Sequence, residues 1–446
     1  MVERAPRLVA RELGPATILL LVAAYAALWV LARPAGEDAG SYLGQLLGAE
    51  AVLLLSIGLV LISTLPWVES FFDGIDRAAI WHRRVAITGM ALLLPHIALA
   101  QGEGNGGIGG PLGAIGLIGL GVLVVWAILP RWQSVVPGPL RPLVVAARDA
   151  PGVSHVRKLF GGYERWRALH RLTGLFVAAG VLHAALDGSP WDDAPILRWT
   201  FLAIGGTGVA FYLYRELLAR FFLSLHDYQV QAVTPVQDDL TEIALRPLGR
   251  PVKFVPGQFA MVFLEGKDGW HRHPFTIASA PHEEVVRVTI KGLGDYTSRL
   301  REIIEPGMPA VIGGPHGRFF HHKGTARQAW IAGGVGIAPF LSWVRALDLE
   351  PGRTVDLFYS AAGDFAFGDE LIEAAGRHPG LSVHLVDTAE RGRLTPEQVL
   401  ETIGANAREL SVFMCGPAPM LRSFQDGLRA GGVPARRIHR QYFDWR

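Results

Sequence analysis

Hydrophobic and polar positions divide this chain into two unlike halves. Six long apolar segments, at roughly 15–33, 50–68, 82–100, 112–130, 168–186 and 197–221, occupy the first half. Each approaches the length of about twenty residues that a helix needs to cross a bilayer. From residue 222 the texture changes to short β-rich runs at 230–233, 242–245, 258–264 and 285–290, separated by proline and glycine turns, which predicts a small β-barrel. Beyond 321–324 the pattern becomes strand, glycine turn and helix in alternation, the signature of a parallel α/β domain. The expected architecture is an α-helical six-span membrane bundle over 1–221, a β-barrel over 222–324 and an α/β parallel-sheet domain over 325–446. The glycine-rich stretch 102–110 is the one low-complexity segment.

Four histidines interrupt the apolar pattern: His82 and His96 in the third segment, His170 and His183 in the fifth. Ionisable side chains within a membrane helix are costly, and a haem iron is one of the few partners that makes paired ones worthwhile. At the helical rise, fourteen residues separate the first pair by about 21 Å and thirteen separate the second by about 20 Å. Two such helices side by side would hold two stacked haems, with the histidines as metal ligands. At 100° per residue, however, a spacing of fourteen returns within about 40° of the starting face, whereas thirteen lands about 140° away. The second helix must therefore bend, bulge or wrap.

Basic residues set the expected orientation. Arg131, Arg141, Arg148, Arg157, Lys158, Arg165 and Arg167 follow the fourth segment, whereas the loops at 34–49, 101–111 and 187–196 carry neither lysine nor arginine. The basic loops stay in the cytoplasm, which places both termini there. The third and fifth helices then run in the same direction, giving the pairs His82/His170 at the inner depth and His96/His183 at the outer. Although Arg4, Arg7 and Arg11 precede the first segment, no convincing cleavage site follows it, so it reads as a retained helix.

The 446 residues are 50% apolar, too many for one domain and too apolar to be wholly soluble. The net charge of +2 says little, and no nucleic-acid partner is expected. Cys415, the single cysteine, excludes an intramolecular disulfide and a cysteine-ligated iron–sulfur cluster within the chain. There is no EF-hand loop, and so no sign of calcium gating by this chain alone.

Two glycine turns suit phosphates. One lies in Lys291-Gly292-Leu293-Gly294-Asp295-Tyr296-Thr297-Ser298, where the turn opens a helix. The other is Gly333-Gly334-Val335-Gly336, which links an expected strand at 329–332 to an apolar helix in the manner of a dinucleotide-binding turn. The β-rich region also holds Arg272-His273-Pro274-Phe275-Thr276-Ile277-Ala278-Ser279, which follows Pro256-Gly257-Gln258-Phe259. Together with the histidine-bearing helices and the run Tyr163-Glu164-Arg165-Trp166-Arg167-Ala168-Leu169-His170, these motifs resemble the ferric reductase and NADPH oxidase superfamily, particularly its minimal six-helix bacterial members. The resemblance extends over almost the whole chain.

That resemblance implies a flavocytochrome with FAD, two haem b groups and NADPH or NADH. It implies that His273, Pro274, Phe275 and Thr276 bind FAD, with His273 toward the phosphate or ribitol and Thr276 near the reactive ring edge. Lys291, Thr297 and Ser298 would serve the flavin phosphates; Gly333, Gly334, Gly336, Cys415 and Gly416 would flank the nicotinamide cofactor, with Cys415 near the hydride-donating carbon. Phe443, with Trp445 in reserve, would cover the flavin ring, and Thr276, Cys415 and Phe443 form the expected catalytic set. Phe176 lies between the paired ligands, where the oxidases also have a phenylalanine.

Some positions depart from the family pattern. Gln441 stands where many relatives have glutamate, and Ala100 where the oxidases place a further histidine. The stretch Ser360-Ala361-Ala362-Gly363-Asp364 lacks the arginine that pairs with a 2′-phosphate and leans toward NADH or dual use, although Arg391 or Arg393 could reach that phosphate. Arg198, near the outer end of the last helix, could pair with a haem propionate, an interfacial arginine being the plainer reading. The expected activity is electron transfer from cytoplasmic NAD(P)H through FAD and the haems to an outer acceptor, in the cytoplasmic membrane of a bacterium. Oxygen giving superoxide is the first choice. A ferric chelate or other metal complex, or a periplasmic partner protein, is the alternative, and no protein partner is required. A haem-carrying transporter is poorly supported, since no broken helix or further buried charge suggests a substrate path.

Overall fold

The computed structural model describes residues 7–63, 65–100, 107–128, 138–140, 142, 143, 146, 163–188, 190–219, 224–347, 352–404 and 406–441. Chain contacts divide it into two units: Met1–Phe72 with Arg77–Phe221, and Asp73–Asp76 with Phe222–Arg446.

The first unit is helical: α1 (Arg7–Leu31), α2 (Ala39–Leu61), α3 (Pro66–Phe72), α4 (Ile75–Leu99), α5 (Gly109–Ile128), α6 (Tyr163–His170), α7 (Thr173–Asp187) and α8 (Pro195–Leu213). Among the described residues five spans are long and apolar enough to cross a membrane: Glu12–Leu31, Ala39–Leu61, Gly109–Trp126, Ala168–Asp187 and Pro195–Leu218. α4, where the third span is expected, is 25 residues long but falls outside this set, because Arg83, Arg84 and the two histidines dilute its apolar character. The segment expected at 50–68 starts earlier, where the Asp38 carboxylate accepts the Ser41 N–H at 2.7 Å and so caps α2. The fifth segment is two helices. α6 ends at His170, the chain turns through Arg171 and Leu172, and α7 begins at Thr173. The thirteen-residue histidine spacing therefore does not run along one unbroken helix. α8 continues through a π-helical turn over Tyr214–Leu218.

The second unit has two sheets. The antiparallel sheet is ordered β4-β3-β6-β1-β2-β5, from β1 (Leu225–Gln237), β2 (Leu240–Pro247), β3 (Phe259–Gly266), β4 (Gly269–Thr276), β5 (Val286–Lys291) and β6 (Pro309–His316). An Ile277–Val288 bridge and the Ala278 N–H donated to Arg287 O at 2.8 Å join its two ends into a barrel. Its core is aliphatic, with Val230, Ile243, Leu245, Val262, Leu264, Val288 and Ile312 buried. The other sheet is parallel, ordered β11-β10-β7-β8-β9: β7 (Arg327–Gly333), β8 (Thr354–Ala361), β9 (Leu381–Asp387), β10 (Ser411–Cys415) and β11 (Ile438–Gln441). Helices α9 (Ala338–Arg345), α10 (Gly368–Arg377), α11 (Pro396–Ile403) and α12 (Ala418–Ala430) connect these strands. The strand order reverses between β7 and β10, the switch point at which open α/β sheets bind ligands.

Candidate functional site

In the helical unit, His82 and His170 face each other with ring centroids 6.3 Å apart and planes at 82°. An iron between two imidazole nitrogens, each about 2 Å from the metal, needs ring centroids a little over 6 Å apart. The pair therefore fits one bis-histidine iron. His82 Nδ1 lies 2.9 Å from Gly58 O, His96 Nδ1 2.9 Å from Gly44 O, and His183 Nδ1 2.9 Å from Gly109 O. A carbonyl only accepts, so each Nδ1 is the donor, which leaves Nε2 as the nitrogen that can meet a metal. His170 is held otherwise: Trp166 stacks on it at 4.8 Å and 18°, and Thr173 Oγ1 stands 3.5 Å from Nδ1 while donating to His170 O at 2.6 Å.

Phe176 packs on α5, where a Cβ on Gly119 would fall 2.3 Å from its ring. That contact gives it a packing role. Arg198 is exposed beside the exposed Trp199. Two features revise the expectation of unbroken helices without further buried charge. One is the break at Arg171 and Leu172. The other is Glu50 in α2, 5% exposed, with neither carboxylate oxygen hydrogen-bonded. The arginines at 131, 141, 148 and 157 and Lys158 lie outside the described residues, as do the side chains of Arg165 and Arg167.

In the barrel, the His-Pro-Phe-Thr motif forms the end of β4, with Pro274 opposite Met261 and Thr276 opposite Phe259. β4 ends the strand order, which suits a proline that cannot donate to a ladder. Thr276 is 3% exposed and its hydroxyl has no hydrogen-bond partner among the described residues. A buried hydroxyl wants a partner, and the polar edge of a flavin would supply one, so the motif fits FAD. His273 stacks on Tyr296 at 4.6 Å and 11°, and His271 stacks on the same ring at 4.2 Å. Thr297 Oγ1 accepts the N–H groups of Leu293 at 3.0 Å and Gly294 at 3.1 Å, so it shapes the turn itself. Lys291 pairs with Asp239 at 3.0 Å. Ser298 packs beneath Gly292, whose added Cβ would meet Ser298 Cα at 3.3 Å. The helix expected after this turn is only a 3-10 turn over Thr297–Arg299 followed by Leu300–Ile303.

Sequence reading missed the residues that clamp the backbone just after Thr276. Arg345 donates to Ala278 O at 3.0 Å and Ser342 to Ser279 O at 2.7 Å. Glu283 accepts the Ala280 N–H at 2.6 Å and pairs with Arg287 at 2.9 Å. Arg345 also pairs with Glu242 at 3.4 Å and Glu370 at 2.7 Å, and Arg287 with Glu242 at 3.0 Å. One signal was available: Arg345 is the charged residue that ends the apolar helix α9.

At the switch point, the ends of β7 and β10 approach closely. A Cβ on Gly336 would lie 2.2 Å from Cys415 O, and one on Gly416 would lie 3.2 Å from Gly333 Cα. Gly334, between them, has φ +54°. Gly333, Gly334, Gly336, Cys415 and Gly416 thus form one cleft floor. Cys415 is fully buried, and burial pushes its thiol well above the ordinary value, so it packs as a neutral thiol and not a thiolate. Gln441 pairs in register with Cys415 and is 6% exposed, its Oε1 without a partner, which suits a polar ligand in this cleft. At the end of β9, Asp387 accepts the N–H groups of Ala389 at 2.8 Å and Gly363 at 3.1 Å, and these bonds hold its carboxyl below the ordinary value. Arg391 and Arg393 are exposed. Phe443 and Trp445 lie outside the described residues.

Comparisons with known proteins bear on the second unit. An FAD-binding domain family matches residues 225–328, and an oxidoreductase NAD-binding domain family matches 330–426. The ferredoxin reductase component of the Mycobacterium tuberculosis 3-ketosteroid-9-alpha-monooxygenase is 29% identical over 200 residues, 44% of this chain and 56% of that protein. The reductase component of propane 2-monooxygenase from Mycolicibacterium smegmatis is 30% identical over 224 residues, 46% of this chain and 64% of that protein. A flavohemoprotein of Chromobacterium violaceum is 28% identical over 215 residues, 43% of this chain and 53% of that protein. The chain thus spans a little more than half the length of the curated relatives it matches. Its C-terminal half is a flavin- and NAD(P)-binding reductase module of an oxidoreductase.

Proposed function

We infer that the chain is a transmembrane flavocytochrome b, taking electrons from cytoplasmic NAD(P)H and delivering them through FAD and two bis-histidine haems to an acceptor on the outer face. The observation that carries this reading is the 6.3 Å His82–His170 pair, in a chain whose other half matches FAD- and NAD-binding domains. When bound, the flavin accepts a hydride and releases its electrons singly, and each haem carries one electron at a time.

The chain's own residues supply position and exclusion. The Gly333–Gly336 turn and Gly416 let a dinucleotide approach the backbone, and Cys415 walls the cleft without a reactive thiolate. Thr276 offers a buried hydroxyl to the flavin edge, held in place by the Arg345 and Ser342 bonds to the residues that follow it. Phe443 is proposed as the aromatic covering the flavin, and Lys291 and Ser298 as neighbours of its phosphates. NADH is the favoured donor, since no basic residue follows β8 directly and Asp387 brings a carboxylate to the 360–364 loop. His82 with His170, and His96 with His183, would hold the two irons, and haems held in this way would supply electron transfer rather than oxygen binding.

The proposed location is the cytoplasmic membrane of a bacterium, with both termini inside. Oxygen yielding superoxide is the proposed acceptor; a ferric chelate is the alternative, favoured by Ala100 in place of a further histidine. A periplasmic partner protein would fit the relatives named as reductase components of larger systems. Detergent-purified protein supplied with haem, FAD and NADH, followed by reduced-minus-oxidised spectra and a cytochrome c assay with and without superoxide dismutase, tests the reading. Dismutase-sensitive reduction establishes superoxide production. Reduced haem that persists in air and discharges only with ferric chelate establishes a metalloreductase, and the absence of a haem spectrum overturns the reading.

A further inference from the structure

The helices that carry no histidine hold the two outer ones in the same way. Gly44 O on α2 accepts from His96 Nδ1, and one turn along, Gly48 lies under the ring: a Cβ there would meet His96 Nδ1 at 2.6 Å. Gly109 O on α5 accepts from His183 Nδ1, and Gly113, again four residues on, lies under that ring: a Cβ there would meet His183 Cγ at 2.9 Å. Contacts under 3 Å to a ring that is itself tied to a carbonyl oblige the ring to move. Elsewhere in the same unit a Cβ on Gly121 of α5 or Gly206 of α8 meets nothing within 4 Å. Gly58 is intermediate, since its carbonyl accepts from His82 while an added Cβ would sit 3.4 Å from that ring, an ordinary contact.

We propose that Gly44-x-x-x-Gly48 and Gly109-x-x-x-Gly113 are a repeated pair of histidine cradles, positioning elements that fix ring tautomer and rotation for the outer haem. The first glycine of each presents a carbonyl to Nδ1, leaving Nε2 as the metal-facing nitrogen, and the second makes room for the ring. The chain is then a repeat of receiver and ligand helices, α2 with α4 and α5 with α7. The inference rests on the proposed haem function and goes beyond the ligands to the residues that aim them.

The test uses full-length protein carrying Gly48→Ala or Gly113→Ala, with Gly121→Ala and Gly206→Ala as controls. The readouts are haem per polypeptide by pyridine haemochrome, potentiometric titration and FAD content. Each cradle variant is expected to lose one of two haems, or to shift one of two potentials, at unchanged FAD; the controls keep both. Wild-type protein without haem overturns the functional reading and this inference together. Wild-type protein with two haems, alongside cradle variants whose stoichiometry and potentials are unchanged, overturns the inference alone. Should Gly48→Ala prevent folding, it is repeated in a His96→Ala chain. Tolerance there shows that the clash is with the ring, whereas collapse in both backgrounds shows a general packing role and sinks the cradle.

Discussion

In the helical unit, three histidine rings are held by backbone carbonyls of glycine, whereas in the reductase unit the backbone after the His-Pro-Phe-Thr motif is held by charged side chains, Arg345 foremost. The solvent proposed for each unit explains the difference. An ion pair within lipid carries a large desolvation cost, but a helix carbonyl already bonded within its helix has a second lone pair to offer. In the reductase unit, Arg345 and Glu242 are 13% and 9% exposed in their side chains, and the guanidinium has several acceptors to satisfy it. One unit fixes its side chains with backbone and close approach, the other with a charge network.

The largest expected effect breaks the second half of that comparison. Arg345→Ala leaves Glu242 and Glu370 without their common partner and frees Ala278 O, which should cost the reductase unit about 3 kcal/mol. Thermal unfolding should show the loss, and flavin should be retained less well because Thr276 loses the support behind it. Haem stoichiometry should not change. A variant that unfolds like wild type and keeps its FAD would show that the network is incidental.

Acid should separate the units next. His321, among Trp330 and Trp343 in the reductase unit, is pushed down to about 4, first by burial and then by the Arg353 and His322 charges. Its ordinary value is 6.5, so between about 6.5 and 4 the unfolded chain binds the extra proton. The stability it contributes is complete above about 6.5 and is lost as pH falls toward 4, by on the order of 2–3 kcal/mol. Calorimetry of wild type and His321→Gln across that window checks this. The variant should lose less stability on acidification, and equal slopes would exclude His321 as the cause.

How much of this was legible in the sequence follows the same division. The reductase motifs are contiguous runs on strand ends and turns, so Thr276, Gly333, Gly336, Cys415 and Gly416 could be named before any coordinates, and the structure gathers the glycines and Cys415 at one switch point. The histidine spacing also required a departure from one straight helix, and the helix is interrupted after His170. The clamp at Arg345 and the cradles at Gly44 and Gly109 were not legible, because each acts on a group distant in sequence. Gly44 and His96 are 52 residues apart, Gly109 and His183 74, and Arg345 and Ala278 67. A glycine that works through its carbonyl leaves no side-chain signature. Glu50 was passed over inside an apolar run, where hydropathy averages a single charge away.

The smallest expected effect sharpens the comparison inside the helical unit. Among the described residues no glycine carbonyl holds His170 as one holds each of the other three rings; its Nδ1 faces the Thr173 hydroxyl at 3.5 Å, beyond the usual length of a strong bond. That hydroxyl donates its proton to His170 O, so it closes the helix break more than it holds the ring. Thr173→Val should therefore cost no more than about 1 kcal/mol of stability and leave the haem count unchanged. It should move the potential of the inner haem only slightly, since Trp166 still stacks on the ring. Potentiometric titration of Thr173→Val beside Gly48→Ala makes the contrast direct. If the threonine variant shifts a potential as far as the glycine variant does, hydroxyl and carbonyl anchors are equivalent, and the distinction drawn between His170 and the other three histidines fails.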